Sequence, residues 1–168
     1  MRRVTAEARA TAPTAAIERP RRQPRAGGSV DAVREFRWPV RVYWEDTDAG
    51  GVVYHARYLH FLERARTEWL RSVGLGQQAL RDQHGVVFVV HRMEIAFDAP
   101  ARLDDELTVT LRLAVLRSAS LVVEQALLRG AESPPLLQAT VRIACVDAAK
   151  FRPSVIPRAL ATLIAGPP

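Results

Sequence analysis

Three acids fall close together in "WEDTDAGGVVYHARY" (residues 44–58): Glu45, Asp46 and Asp48. Gly50 and Gly51 follow, then an apolar pair, then Tyr54 and His55 where the sequence turns helix-like. A carboxylate in such a loop can attack an activated carbonyl, or deprotonate a water that does so. The negative charge that develops on the carbonyl oxygen needs donors. A helix N-terminus supplies them, as unpaired N–H groups with a partial positive charge. The start of this helix has no Ser, Thr, Asn or Asp at the expected cap position. That leaves the N–H groups around Tyr54, His55 and Ala56 for a ligand or for water. The two glycines let the backbone turn tightly and a substrate approach closely. His55 can serve as a general acid or as a substrate contact. Local sequence does not choose among the three acids.

Other reactive groups are sparse. His60, His84 and His91 show no partner spacing, and the chain has one cysteine, Cys145, with no HExxH or CxxC pattern. No structural or catalytic zinc site is expected on that basis. There is no GxSxG or Walker pattern to suggest a serine hydrolase or a nucleoside triphosphatase. Lys150 and Arg152 follow the last strand and can bind phosphate or stand as solvated surface charges.

The elements around the loop follow from periodicity. Phe36, Trp38, Val40, Val42 and Trp44 alternate with Arg37, Pro39, Arg41 and Tyr43, which predicts a half-buried strand with Pro39 at an edge or a bulge. From Tyr54 to Val73 the period becomes helical, with Leu59, Leu62, Ala65, Trp69 and Val73 on one stripe and Tyr58, Phe61 and Leu70 flanking it. Gly74 and Gly76 stop that helix, and a short one is expected at Gln77–Gln83. Four strands follow: "VVFVVHRMEIAFDAP", ending at Pro100, then Leu107–Val115, "SLVVEQALLRG" and Leu137–Cys145. A last short helix is expected at Ile156–Ile164. Trp38, Trp44 and Trp69 lie on apolar stripes and read as core. Short connections favour antiparallel neighbours, and one long helix against one such sheet is an α+β layer arrangement.

Of the 168 residues, 48% are apolar and 25% charged, ordinary values for a globular chain with a real core. The single cysteine rules out an internal disulfide framework and fits a reducing compartment. No run of 18 apolar residues suggests a membrane span. The net charge of +6 is concentrated: residues 1–28 hold seven arginines and two glutamates, +5 of the total. Residues 1–32 therefore read as a disordered basic extension, and residues 33–168 as one domain. The extension also has the Arg-rich, acid-poor look of an organellar transit peptide, and a translation start near Val30 is a further reading. A tail of this charge can bind polyanions, but no specific nucleic-acid partner is expected.

"VRVYWEDTDAGGVVYHARYLHFLERARTEWL" closely resembles the Tol–Pal-associated YbgC-type acyl-CoA thioesterases, in the 4-hydroxybenzoyl-CoA thioesterase branch of the hotdog superfamily. The likeness continues through "FVVHRMEIAFDAPARLDDEL", "SLVVEQ" and "CVDAAKFRPSVIP", roughly Phe36 to Leu160. It implies an α+β hotdog fold, a long helix wrapped by about five antiparallel strands. It also implies hydrolysis of an acyl-CoA thioester in the cytoplasm without metal or cofactor, in a homodimer or homotetramer. The family's catalytic aspartate matches Asp48, and its carbonyl-polarising N–H matches the position of His55. Tyr54 and His55 match residues at the acyl end of the pocket. Lys150 and Arg152 match the basic pair that meets the CoA phosphates. An acyl carrier protein is a further partner that the likeness suggests. The alternatives are a non-catalytic module that binds acyl-CoA or acyl carrier protein, and a hotdog hydratase, whose His and acid motifs are not found.

Overall fold

The computed structural model describes residues 35–130 and 133–166. The expected basic extension, with its boundary near residue 33, lies outside the described residues. The elements, in chain order, are β1 (Phe36–Arg41), a 3-10 turn (Trp44–Asp46), α1 (Arg57–Ser72), α2 (Gln77–His84), β2 (Val86–Phe97), β3 (Glu106–Leu116), β4 (Ser120–Leu128), β5 (Leu137–Asp147) and α3 (Arg158–Ala165). The strands form one antiparallel sheet in the order β1-β3-β4-β5-β2. Pro39 sits opposite Thr108 on β1, whose other side carries no strand among the described residues, so its missing N–H breaks no ladder.

The alternating residues predicted to face inward largely do so. Leu107, Val109 and Leu111 of β3, Leu121, Val123 and Leu127 of β4, and Leu137, Ala139, Val141, Ile143 and Cys145 of β5 are all buried. Against them α1 lays Tyr58, Phe61, Leu62, Ala65, Trp69 and Leu70. A fully buried Leu or Phe contributes about 1.5–3 kcal/mol, so this layer is the principal cohesive contact of α1.

Four expectations need correction. β1 stops at Arg41, and Trp44 is 79% exposed in the 3-10 turn instead of on the core stripe, because the acids after it turn the chain off the sheet. α1 starts at Arg57, three residues later than its apolar period suggests. Its buried stripe is rotated: the flanking Tyr58, Phe61 and Leu70 are core, while Leu59 is 41% exposed. On β3 a register shift between Leu113 and Val115 breaks the alternation, so Leu116, not Val115, packs on the core.

The antiparallel order sorts the loops between two ends of the sheet. The β1–α1 loop and the β2–β3 connection share one end, where the N–H groups of Val42 and Val53 donate to the carbonyls of Asp105 and Ala101. The β3–β4 turn, the segment after β5 and the start of β2 share the other. There the N–H groups of Ala148 and Ile156 donate to the carbonyls of Gly85 and Ser118. The 11 residues of β5 separate the two ends by about 33 Å.

Candidate active site

The structure separates the three acids that sequence alone left equivalent. Asp46 is buried, 3% exposed. One of its oxygens accepts the Tyr43 N–H at 2.9 Å, and the other accepts Arg57 Nε at 2.8 Å. Arg57 also pairs with Glu45 at 3.0 Å. Two of the three carboxylates therefore tie the loop to the first turn of α1. Asp48 is exposed and pairs with no cation among the described residues. One oxygen, Oδ1, accepts the Gly50 N–H at 2.7 Å. The other is engaged by no described group.

The glycines hold this arrangement. Asp48 N–H donates to Val52 O and Gly51 N–H to Asp48 O, both at 3.0 Å, closing a tight turn in which Gly51 has φ +72°. A Cβ on Gly50 would lie 3.0 Å from Asp48 Oδ1, so a larger residue there would displace the carboxylate. An antiparallel bridge between Thr47 and Val53 returns the chain to the start of the helix.

At the helix start, Ala56 occupies the cap position with no side-chain hydrogen bond. Of the three N–H groups expected to be open, that of Tyr54 is taken: it donates to Asp46 O at 2.9 Å. Those of His55 and Ala56 donate to no group among the described residues. The rings of Tyr54 and His55 lie 4.4 Å apart, inclined at 57°, and both side chains reach the surface. Asp48, the two open N–H groups, Tyr54 and His55 thus belong to one loop at one end of the sheet.

Lys150 and Arg152 lie at the other end. Their turn is built on Asp147, whose Oδ1 accepts the N–H groups of Lys150 at 2.7 Å and Ala149 at 3.0 Å. These bonds hold the Asp147 carboxyl below the usual carboxylate range. Asp147 N–H donates to Arg152 O, and Phe151 takes a positive φ of 51°. The result is a defined projection carrying both cations into solvent. Within one chain it stands about 33 Å from the Asp48 loop, the length of β5.

Neither Arg57 nor Asp147 stood out in the sequence. Arg57 is the one cation in the first turn of α1 beside the acids, a signal that charge pairing offered. Asp147 precedes Lys150 by three residues, the spacing of a side-chain-capped turn. Among the described residues no group of three or more His, Cys, Asp or Glu side chains is gathered as for a metal ion.

Residues 42–164 match the family model described as the thioesterase-like superfamily. The acyl-CoA thioesterase YbgC of Haemophilus influenzae is 49% identical over 123 residues, 73% of this chain and 89% of that protein. The acyl-CoA thioester hydrolase YbgC of Escherichia coli O6:H1 is 50% identical over 125 residues, covering 74% and 92%. This chain belongs to the YbgC acyl-CoA thioesterases. The crystal structure of a probable thioesterase from Bartonella henselae superposes with a TM-score of 0.69 at 41% identity, covering 74% of this chain and all of that one. The YbgC assignment makes the chain a thioester hydrolase of the hotdog fold, and its sheet-and-helix layer is the one described above. No described helix is long and apolar enough to cross a membrane.

Proposed function

We propose that Asp48 carries the hydrolysis, as nucleophile or as the base that activates water, while the open N–H groups at the start of α1 receive the thioester oxygen. The observation that carries this reading is the separation of the acids: Glu45 and Asp46 are bound to Arg57, and Asp48 keeps one oxygen unengaged on the same loop as the unsatisfied donors. The thioester C–S bond breaks, a C–O bond to water oxygen forms in the product acid, and CoA leaves as a thiolate that takes up a proton. A thiolate leaves readily, so the site needs little acid assistance. Tyr54 and His55 line the acyl end, and Lys150 and Arg152 meet the phosphates.

The opposite placement of the two groups bears on assembly. β2 is an edge strand, 12 residues long, and no strand covers its outer side among the described residues. Its Val90 and Phe97 are 49% and 53% exposed. A long edge strand with unpaired backbone groups invites pairing with a second copy. Antiparallel pairing of β2 with its counterpart about a two-fold axis would set the Asp48 end of one chain beside the Lys150 end of the other. One site would then draw its carboxylate and its phosphate contacts from two chains. Homodimers, with further pairing into tetramers, are the proposed state, in a reducing, CoA-containing cytoplasm. Acyl carrier protein is a proposed alternative donor of the acyl group, and association with the Tol–Pal system a proposed setting.

The test is thiol release from a panel of acyl-CoAs, with wild type beside Asp48→Asn. The variant is expected to keep its circular dichroism and lose at least ~100-fold in kcat, the scale for removal of a catalytic group. An Asp48→Asn protein with near-wild-type turnover would sink the assignment.

A further inference from the structure

The buried face of α1 carries a hydroxyl that the mechanism above leaves unused. Tyr58, the second residue of the helix, is buried, and its ring meets those of Phe61 and Phe97 edge-on at centroid distances of 6.2 and 5.6 Å. Phenylalanine would serve that packing equally well. The hydroxyl has a separate partner: it accepts the N–H of Ala101, in the β2–β3 connection, at 2.9 Å. Ala101 is 0% exposed, so no water stands ready to replace that bond.

Ala101 is a junction. The peptide that supplies its N–H is held on the other side by Arg129, whose Nη2 donates to Pro100 O and to Asp105, both at 2.8 Å. The Ala101 carbonyl accepts the Val53 N–H at 2.9 Å. Val53 bridges to Thr47, and the carbonyl of Val52 accepts the Asp48 N–H at 3.0 Å. Tyr58 and Val53 are therefore fastened to one residue, at the two ends of the stretch that carries the open N–H groups of His55 and Ala56. Asp48 is bonded to the near end of that stretch. The helix start has no side-chain cap. Arg57 ties its first turn to the acids of the loop, and Tyr58 ties it to the β2–β3 connection.

We propose that Tyr58 is a positioning residue for the hydrolysis: its hydroxyl, acting through Ala101 and Val53, sets the open N–H groups of the helix start relative to the Asp48 carboxylate. The inference rests on the mechanism proposed above. Without the hydroxyl, the Ala101 N–H stays buried with no acceptor, and it regains one only by moving. The Ala101 carbonyl moves with it, and Val53 and the Asp48 turn follow. Donors displaced in this way fail the developing oxyanion more than they fail the bound substrate.

The experiment measures kcat and KM on one acyl-CoA that the wild type hydrolyses, for Tyr58→Phe, Phe61→Leu and Asp48→Asn. The temperature is one at which circular dichroism shows each protein fully folded. Tyr58→Phe keeps the ring and removes one oxygen; kcat is expected to fall about tenfold with KM within about twofold of wild type. That loss is smaller than the ~100-fold or more that follows outright removal of an oxyanion donor. Phe61→Leu loosens the packing around the same ring and keeps the hydroxyl, so it should lower Tm and leave kcat within about twofold. Wild-type kcat in Tyr58→Phe beside an inactive Asp48→Asn overturns the positioning role and leaves the mechanism standing. An equal fall of kcat in Phe61→Leu makes the effect one of general loosening, and a rise in KM at unchanged kcat makes it one of substrate binding; either overturns the inference. If Tyr58→Phe does not fold, Arg129→Gln releases the same peptide from its other side and is expected to give the same split. Near-wild-type turnover by Asp48→Asn would count against the mechanism itself, and with it against this inference.

Discussion

On the proposed mechanism the decisive residue, Asp48, is distinguished by what it lacks. Asp46 and Asp48 are the same side chain two positions apart, yet Asp46 is spent on Arg57 and the Tyr43 N–H while Asp48 is held through one oxygen only. The two should therefore fail differently on substitution. Asp46→Ala removes one partner of a mostly buried pair, with side-chain exposures of 4% for Asp46 and 24% for Arg57. Breaking a buried pair typically costs about 3–5 kcal/mol, and Glu45 remains to hold Arg57, so a loss of about 3 kcal/mol is expected. Urea unfolding would measure it. Unchanged stability would mean that the loop is held by its backbone bonds alone.

At the scale of elements, the proposed chemistry rests on two turns, each built by an aspartate whose side chain captures backbone N–H, one for Asp48 and two for Asp147. The Asp147 turn after β5 is the separable one. Asp147→Ala leaves the N–H groups of Lys150 and Ala149 without their acceptor and frees the two cations from a fixed position. KM for acyl-CoA is expected to rise roughly three- to tenfold with kcat little changed, because the lost interaction is uniform binding far from the reacting carbonyl. Steady-state kinetics separate the two parameters, and a fall in kcat alone would contradict the placement. The pH sign follows from the lowered Asp147 carboxyl. A depressed carboxylate stabilises the fold above its ordinary range near pH ~4 and loses that contribution as pH falls through the depressed value. Protection of the Lys150 amide, measured against its intrinsic exchange rate at each pH, should therefore hold down to about pH 4 and fall only in stronger acid.

For the whole molecule, the separation of Asp48 from Lys150 and Arg152 is the governing fact. On the proposed roles, one site draws its carboxylate and its phosphate contacts from two chains, because a single chain holds the two groups about 33 Å apart. The uncovered β2 edge offers the remedy, and a charge placed there should disable it. Val90→Glu puts a carboxylate on a 49%-exposed apolar position of that strand. Sedimentation is expected to shift from dimer or larger toward monomer, with the circular dichroism unchanged and turnover lost together with assembly. A variant that stays dimeric would move the interface elsewhere.

Much of this protein was legible from its order of residues. Period-two alternation marked β1, β3 and β5, apolar runs marked β2 and β4, and period-3.6 marked the long helix, because burial on one face is a local demand that side chains record directly. The acids, the glycines and the uncapped helix start were likewise visible as types and spacings. What only the tertiary structure decided are the matters that depend on partners distant in the chain. Trp44 looked like core until the chain left the sheet. The buried stripe of α1 turned on which residues meet β1 and β3. Asp48 was separated from Asp46 by an arginine 11 positions beyond Asp46, whose reach no pattern of spacing specifies. The antiparallel register, set by the pairing of whole strands, put the carboxylate and the basic pair at opposite ends. Local sequence records what each residue must face; only the closed fold settles which residue it meets.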